Sequence, residues 1–245
     1  WSRYSAVIAN TVGGNLTVED VVLEHLGGTD MAYGIDNLTN GKGTYAVTTI
    51  DGATVKSPYR AVRQFLNGTE ATNELYVNAG SVLEGDNKSI FFHDPSDKAN
   101  SGKLVVEDGA QLKGDVYLFV TAGSTEWPVE VSIAQAALVN GTVLTGNVPA
   151  GYMVTNKGGY WTVADDVKTA SNKEELEDAI ENAVGDATIV LAEGTYDLPS
   201  IGGKDVTIVG TEETVIKTGA ANLGAGNLTL DGVTITAGMY QGFQH

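Results

Sequence analysis

Four acidic residues stand where carboxylates could act as an acid and a base: Asp51, Glu84, Asp108 and Asp231. Two carboxylates at close range can donate and accept a proton during cleavage of a glycosidic bond. Asp51 and Asp231, however, each precede a glycine, and Asp-Gly is ordinary turn chemistry because the Asp side chain bonds to the nearby backbone. The sequence therefore favours a structural role in turns for these residues, with catalysis as the alternative.

The three histidines, His25, His93 and His245, lack a partner at metal-ligand spacing. His93 lies in FFHDPSDK, which we predict to be a loop in which Asp94 and Pro95 start a turn. There is no cysteine, no nucleophile elbow, no phosphate loop and no His-Glu-x-x-His motif. We therefore expect no cofactor; calcium on the acidic surface is the alternative, without an EF-hand or nonapeptide repeat to support it.

One segment, SPYRAVRQF, combines aromatic and cationic side chains in Tyr59, Arg60 and Arg63. Guanidinium and ring contacts suit an anionic sugar or a partner subunit. The competing interpretation is a loop whose arginines pair with surplus carboxylates, and the acidic surface favours it.

A second aromatic group consists of Tyr152, Tyr160 and Trp161. Aromatic faces suit sugars, so these residues are candidates for a carbohydrate platform. The favoured interpretation is that they seal a junction between two parts of the chain, because large aromatic side chains bury about 150–250 Å² each.

Composition limits the possible partners. The 245 residues include 31 Asp and Glu against 14 Lys and Arg, which gives a net charge of −17. Phosphate backbones and anionic lipid headgroups are bound through clustered cations, so we expect no nucleic-acid partner. No apolar run approaches the ~18 residues needed to cross a bilayer, so no membrane span is predicted.

A repeat runs through the first half of the chain. Its template has apolar residues at positions 1, 3 and 9 and small or polar residues at positions 6 and 11. It fits residues 75–85, 104–114 and 131–141, fits 47–57 more loosely, and has a still looser copy from Leu16. The starts at 16, 47, 75, 104 and 131 are 31, 28, 29 and 27 residues apart. Each copy predicts two short strands with a bend between them, and such units bury their apolar faces only by stacking.

The pattern changes at Pro149. Residues 149–163 are typical of an aromatic-rich hairpin whose turn is Lys157-Gly158-Gly159. The next segment, SNKEELEDAIENAVG, predicts the one helix, with Ser171 as N-cap, Glu174 completing a capping box, and Gly185 ending it. The apolar face would hold Leu176, Ala179, Ile180, Ala183 and Val184.

Shorter β segments follow the helix, with anchors at Ile189, Val206 and Leu228, which are 17 and 22 residues apart. The order of ASNKEELEDAIENA, ATIVLAEGTYDL, DVTIVG, ETVIK and NLTLDGVTI resembles the start of right-handed parallel β-helices of the pectate-lyase-like class. In that class the helix covers the open end of the first coil. Similar segments are found in repetitive surface proteins of gut bacteria and in phage fibres and spikes. The resemblance implies an arginine or lysine base beside calcium held by several acidic residues in the lyases, and two or three aspartates as acid and base in the hydrolases. Such residues would lie on neighbouring coils, hence about 20 to 30 residues apart here.

We therefore predict an all-β fold, a right-handed parallel β-helix in two stacked segments with a short capping helix. The first segment covers residues 1–163 and the second covers 164–245. Neither end carries an evident cap, which favours a homo-oligomer or head-to-tail neighbours that cover the ends.

The leading functional hypothesis is a non-enzymatic structural or adhesion protein of an extracellular, cell or virion surface that contacts glycans. The alternative is a polysaccharide lyase or glycoside hydrolase. The enzyme requires two carboxylates, or a carboxylate and an arginine, within about 5 to 10 Å on one exposed face. The structural protein predicts scattered charges and rows of Thr or Asn.

Overall fold

A computed structural model of the chain describes residues 4–28, 31–94, 99–165, 167–183, 186–219 and 223–237. Among these residues, strands dominate, and one α-helix and one 3₁₀ turn are present. The fold is therefore all-β, with mostly parallel sheets. Within the described residues, no helix is long and apolar enough to cross a membrane. The chain divides into unit 1, which holds residues up to Pro149 and Val154–Val163, and unit 2, which holds Ala150–Met153 and residues from Ala164 onward.

Unit 1 contains most of the strands. They are β1 Ser5–Asn10, β2 Gly14–Glu19, β3 Val22–Glu24, β4 Ala32–Thr39, β5 Tyr45–Asp51, β6 Thr54–Ser57, β7 Arg60–Leu66, β8 Thr72–Val77, β9 Val82–Asp94, β10 Ser101–Val106, β11 Gln111–Val120, β12 Val129–Ala134, β13 Leu138–Asn140, β14 Val143–Gly146, β15 Met153–Lys157 and β16 Tyr160–Ala164.

These strands form three rows of parallel pairs, and each strand pairs with the equivalent strand of the next repeat. The first row is β2, β5, β8, β10 and β12. The second row is β3, β6, the first parts of β9 and β11, and β13. The third row is β1, β4, β7, the second parts of β9 and β11, and β14. Each repeat thus has three strands rather than the predicted two.

The predicted equivalence of the best repeat copies is confirmed. Leu75 pairs with Leu104, and Leu104 pairs with Val131. The looser copy was misaligned by one residue, since Thr48 and not Val47 is the register partner of Leu75.

Turn length explains the error. Four residues separate Ile50 from its inward successor Val55, whereas five separate Val77 from Leu83, the partner of Val55. In the looser copy, where this turn is one residue shorter, a template of fixed spacing therefore selects Val47 instead of Thr48. It also favours an apolar residue, whereas the inward-facing Thr48 is polar and fully buried.

The last copy also departs from the template. Leu138, not the predicted Val139, is the partner of the buried Leu112, and Val139 is 56% exposed. A register irregularity between Leu112 and Lys113 accompanies this change. The 3₁₀ turn Gln135–Ala137 occupies the bend where the template placed a small residue.

The apolar core of unit 1 encloses a polar cluster, which we call the amide cluster: Asn37, Thr48, Gln64 and Asn73, all with 0% exposure. Asn37 Nδ2 donates to Thr48 Oγ1 at 2.5 Å, and Asn73 Nδ2 donates to the Asn37 carbonyl at 3.4 Å. Four side-chain atoms of the cluster have no hydrogen-bond partner among the described residues: Nε2 and Oε1 of Gln64, Oδ1 of Asn37 and Oδ1 of Asn73. Such orphaned groups are costly, so this cluster is a weak point of the core.

The predicted hairpin closes the first row. β15 and β16 are hydrogen-bonded neighbours joined by Gly158 and Gly159, whose φ angles of 61° and 86° suit a two-residue hairpin turn. β16 pairs antiparallel with β12, and Ile133 faces Trp161 in this register. The parallel order of the row therefore ends at β12.

Unit 2 contains the helix and seven strands among its described residues. They are β17 Val167–Ala170, α1 Lys173–Glu181, β18 Ala187–Leu191, β19 Gly194–Asp197, β20 Val206–Val209, β21 Thr214–Thr218, β22 Leu228–Asp231 and β23 Thr234–Ala237. Strands β17, β18, β20 and β22 form one parallel sheet, and β19, β21 and β23 form another. The predicted match of Val206 with Leu228 is confirmed, but Ile189 pairs with Ile208 rather than Val206.

The start of α1 differs from the prediction by one residue. Asn172, not Ser171, is the N-cap, and its side chain accepts a hydrogen bond from the Glu175 backbone N–H at 2.9 Å. The Glu175 carboxylate, rather than that of Glu174, reaches back to Ser171 and accepts from its N–H at 2.7 Å and its hydroxyl at 2.8 Å. Asn is a good N-cap because its short side chain reaches the free N–H groups of the first turn.

The predicted apolar face of α1 is confirmed for its described residues. Leu176, Ala179, Ile180 and Ala183 are buried, and α1 packs against β17 and β18. The predicted Val184 and Gly185 lie outside the described residues. At the other end of the helix, Lys204 Nζ donates to the carbonyls of Ile180 at 2.8 Å and Glu181 at 2.5 Å, where a cation complements the helix dipole.

Candidate functional site

The outward face of the third row carries stacked rings on β7, β9 and β11. We call this set the ring ladder: Phe65, Phe91, His93, Tyr117 and Phe119. These residues alternate along their strands with inward-facing Gln64, Phe92 and Leu118, as the two-residue period of a strand requires. The predicted loop around His93 was therefore wrong up to Asp94, because the segment through Asp94 is part of β9.

Ring orientation decides what the ring ladder can bind. Phe65 and His93 are register partners whose rings stack at 4.8 Å with an interplanar angle of 4°. Phe91 and Tyr117 are also register partners, and their rings stack at 5.5 Å. Within these two pairs the rings cover each other's faces, whereas His93 and its other register partner, Phe119, meet edge to face at 74°. Sugar stacking requires a free aromatic face, so this ladder is better suited to holding repeats together.

Arg60 begins β7 and lies between two rings. Its guanidinium carbon is 4.4 Å from the Tyr59 centroid and 3.8 Å from the Phe91 centroid. Its Nε is buried without a partner among the described residues, and burial lowers the pKa of the guanidinium below its ordinary value. The cation is thus held mainly by aromatic faces.

Arg63 lies further along β7 and pairs with a buried carboxylate. Its Nε and Nη2 donate to Asp36 at 2.6 and 2.8 Å, and the Tyr4 hydroxyl also donates to Asp36. The predicted loop was wrong for both arginines, but a carboxylate does pair with Arg63. Asp36 is 0% exposed, so this pair does not meet the exposed-face criterion for an enzyme.

His93 supplies the imidazole ring of the ring ladder. Burial, with smaller contributions from the positive charges of Arg63 and Arg60, lowers its pKa to about 4. The ring is therefore neutral at physiological pH and behaves as one more flat ring in the stack.

One register series of outward charges on each of the first and second rows alternates in sign from strand to strand. The second row carries Glu24, Lys56, Glu84 and Lys113 in register, and the first row carries Glu74, Lys103 and Glu130. Lys113 Nζ lies 3.2 Å from Glu84 Oε2, and Lys103 Nζ lies 2.8 Å from Glu130 Oε1. Unit 2 carries the register series Thr188, Thr207 and Thr229. In the two charged series, neighbouring strands therefore compensate each other's charge.

A groove of about 220 Å³ beside the second row, which we call the acidic groove, gathers three carboxylates. It is lined by Glu24, His25, Lys56, Ser57, Pro58, Glu84 and Asp86. His25 Nε2 lies 2.8 Å from the Ser5 hydroxyl, and His25 Nδ1 accepts from the Gly27 N–H at 3.3 Å. Both nitrogens of His25 are thus engaged, and Lys56 stands between Glu24 and Glu84 in the row.

A larger pocket of about 460 Å³ lies at the hairpin turn of unit 1. We call it the hairpin pocket, and its lining residues are Asp108, Ala134, Gln135, Ala136, Gly158, Gly159 and Tyr160. The Gln135 N–H donates to the Gly159 carbonyl at 2.8 Å, and Asn156 Nδ2 donates to Gln135 Oε1 at 2.8 Å. The Gly159 N–H donates to Asn156 Oδ1 at 3.2 Å, so three residues fix this wall.

The six aromatic and arginine residues predicted from the sequence do not converge on one site. Tyr59, Arg60 and Arg63 lie beside the ring ladder, whereas Tyr160 is 39% exposed at the hairpin pocket. Trp161 packs against the core of unit 1. Because neighbouring residues of a strand point to opposite faces, Tyr160 and Trp161 form no joint platform. Tyr152 is half-buried and belongs to unit 2.

The four predicted acidic positions are also dispersed. Asp51 ends β5 beside its register partner Glu19, and Asp231 ends β22. Glu84 lines the acidic groove, and Asp108 lines the hairpin pocket. Among the residues whose structure is described, no three His, Asp or Glu side chains converge as a metal site.

Comparison with protein-family models, curated proteins and solved structures finds no match to the chain.

Proposed function

We propose that this chain is a non-enzymatic structural and adhesion module, a right-handed parallel β-solenoid of an extracellular, cell or virion surface that contacts glycans. The observation that carries the proposal is the in-register pairing of each three-strand repeat with the next, as in Leu75, Leu104 and Val131. A chain that bends and returns in this way at every repeat winds into a coil. Right-handed winding follows from the general rule that about 98% of parallel crossovers are right-handed.

The side chains of the outward faces support a mechanical role. Two pairs of rings stack between neighbouring strands of the third row, and one ion pair joins neighbouring strands in each of the first and second rows. Each contact joins one repeat to the next, so together they resist sliding of the register. In unit 2, Thr188, Thr207 and Thr229 are register partners on successive strands.

The helix α1 supports a capping role within unit 2. It packs against β17, the first strand of a parallel sheet, and against β18. Covering the first strands of a sheet prevents unwanted pairing with other chains.

The second candidate is a polysaccharide lyase or glycoside hydrolase acting in the acidic groove. The observation that favours it is the gathering of Glu24, Glu84 and Asp86 around one groove. Against it, Glu84 is paired with Lys113, and both nitrogens of His25 are engaged. A general acid or base requires a group free to exchange its proton with the substrate.

Native mass spectrometry of material from the natural source tests the structural role. The proposal predicts a defined multimer of the chain. A monomer would contradict assembly.

A further inference from the structure

We propose that the hairpin pocket binds a neutral saccharide, with Asp108, Gln135 and Tyr160 as its contacts. This inference rests on the proposed role as a glycan-contacting module and assigns that contact to one place. The pocket volume of about 460 Å³ lies within the ~300–1,000 Å³ typical of small-molecule sites. Small residues at Ala134, Ala136 and Gly158 leave this space open.

The polar groups of the pocket are available for a ligand. Asn156 holds Oε1 of Gln135, which orients the amide and leaves its Nε2 donors without a partner among the described residues. The exposed Asp108 carboxylate forms no ion pair or side-chain hydrogen bond with the part of the chain that the structure describes. The site therefore offers a fixed donor next to an unneutralised acceptor.

These groups match sugar hydroxyls. A hydroxyl both donates and accepts, so adjacent hydroxyls can donate to the carboxylate of Asp108 and accept from the amide of Gln135. The Tyr160 side chain is 39% exposed, and an exposed ring packs against the C–H face of a sugar. Unlike the rings of the ring ladder, Tyr160 has no ring neighbour among the described residues.

Charge selects neutral over acidic sugars. Asp108 follows Glu107 directly, and the chain carries a net charge of −17. A uronate carboxylate would meet these like charges without a compensating cation among the described lining residues. Arg60 and Arg63 do not line the pocket, because both lie at the ring ladder.

Titration by NMR with methyl glycosides of neutral hexoses and with glucuronate tests the inference. We expect the neutral probes to shift the amide signals of Gly158 and Gly159 with millimolar affinity, and glucuronate to shift them much less. Tyr160→Ala and Asp108→Asn should each weaken binding about tenfold or more. The matched controls are Tyr45→Ala, which removes a tyrosine that is 50% exposed elsewhere in unit 1, and Asp20→Asn, which changes an exposed carboxylate that lines neither pocket; both should bind like wild type.

The possible failures are distinguishable. Three results would overturn the saccharide site and leave the structural role intact. The first is that the shifts persist in Tyr160→Ala and Asp108→Asn, and the second is that glucuronate binds equally well. The third is that no probe binds to a protein that assembles as a multimer. A monomer that cleaves polysaccharide would instead overturn the proposed function itself.

Discussion

Arg63 donates two hydrogen bonds, of 2.6 and 2.8 Å, to the carboxylate of Asp36, whose side chain is completely buried. The two residues are register partners on β4 and β7, so the ion pair joins consecutive repeats. The guanidinium carbon also lies 4.6 Å from the Tyr33 ring and 4.7 Å from the Phe65 ring. The Arg63 guanidinium thus joins consecutive repeats and is not directed at solvent.

Removing one partner of this pair should destabilise unit 1 strongly. Arg63→Met leaves the Asp36 carboxylate buried and uncompensated, which costs about 3–5 kcal/mol. We expect urea unfolding to show this loss, and the double variant Asp36→Leu with Arg63→Met to recover most of it. A loss below about 0.5 kcal/mol for Arg63→Met would show that the pair is solvated.

Acid should destabilise the ring ladder through His93. Its folded pKa of about 4 lies below the ordinary value of 6.5, so the neutral ring favours folding above pH 6.5. This contribution is lost as the pH falls from 6.5 through 4. A shift of this size corresponds to about 3 kcal/mol, which solvent screening of the half-buried ring reduces to about 1–2 kcal/mol.

The variant His93→Phe isolates this effect from other carboxylate titrations. It preserves a flat ring and removes the titrating group, so its unfolding free energy should match wild type near pH 7 and exceed it near pH 4. Parallel pH curves for the two proteins would rule out the assigned role of His93.

Gln64 should be replaceable by an apolar residue with a gain in stability. Both of its amide atoms are buried without a described partner, and its register partner on β9 is the buried Phe92. Gln64→Leu removes the desolvation cost of the amide, so we expect a gain of about 1–3 kcal/mol in urea unfolding. The exposed Gln111→Leu is the control and should change stability by less than about 0.5 kcal/mol. A loss of stability in Gln64→Leu would mean that internal water satisfies the amide.

The N-cap assignment in unit 2 predicts an order of effects. Asn172→Ala removes the bond to the Glu175 N–H and should cost about 1 kcal/mol. Ser171→Ala removes only an exposed hydroxyl bond to the Glu175 carboxylate and should cost less than about 0.5 kcal/mol. Unfolding monitored by a probe in unit 2 measures both, and the reverse order would restore Ser171 as the N-cap.

Sequence patterns predicted the repeat where the residues obey a fixed spacing. Leu75, Leu104 and Val131 do so, and the helix face containing Leu176 and Ile180 follows from its period. Thr48 was missed because a turn is one residue shorter and because the core there is polar.

The ring ladder was also missed, although its signal is present in the sequence. Phe91 and His93 recur as Tyr117 and Phe119, an aromatic pair with the same spacing 26 residues later. The hairpin pocket has no such signal, since it depends on how the turn at Gly158 folds back beside Gln135.

The molar mass of polysaccharides after incubation with the protein tests the central claim most directly. Light scattering after size separation would report both complex formation and chain length. A non-enzymatic adhesion module predicts that the polysaccharide keeps its original molar mass throughout the incubation. A progressive fall in molar mass that is abolished by Glu24→Gln or Glu84→Gln would contradict the account and assign catalysis to the acidic groove.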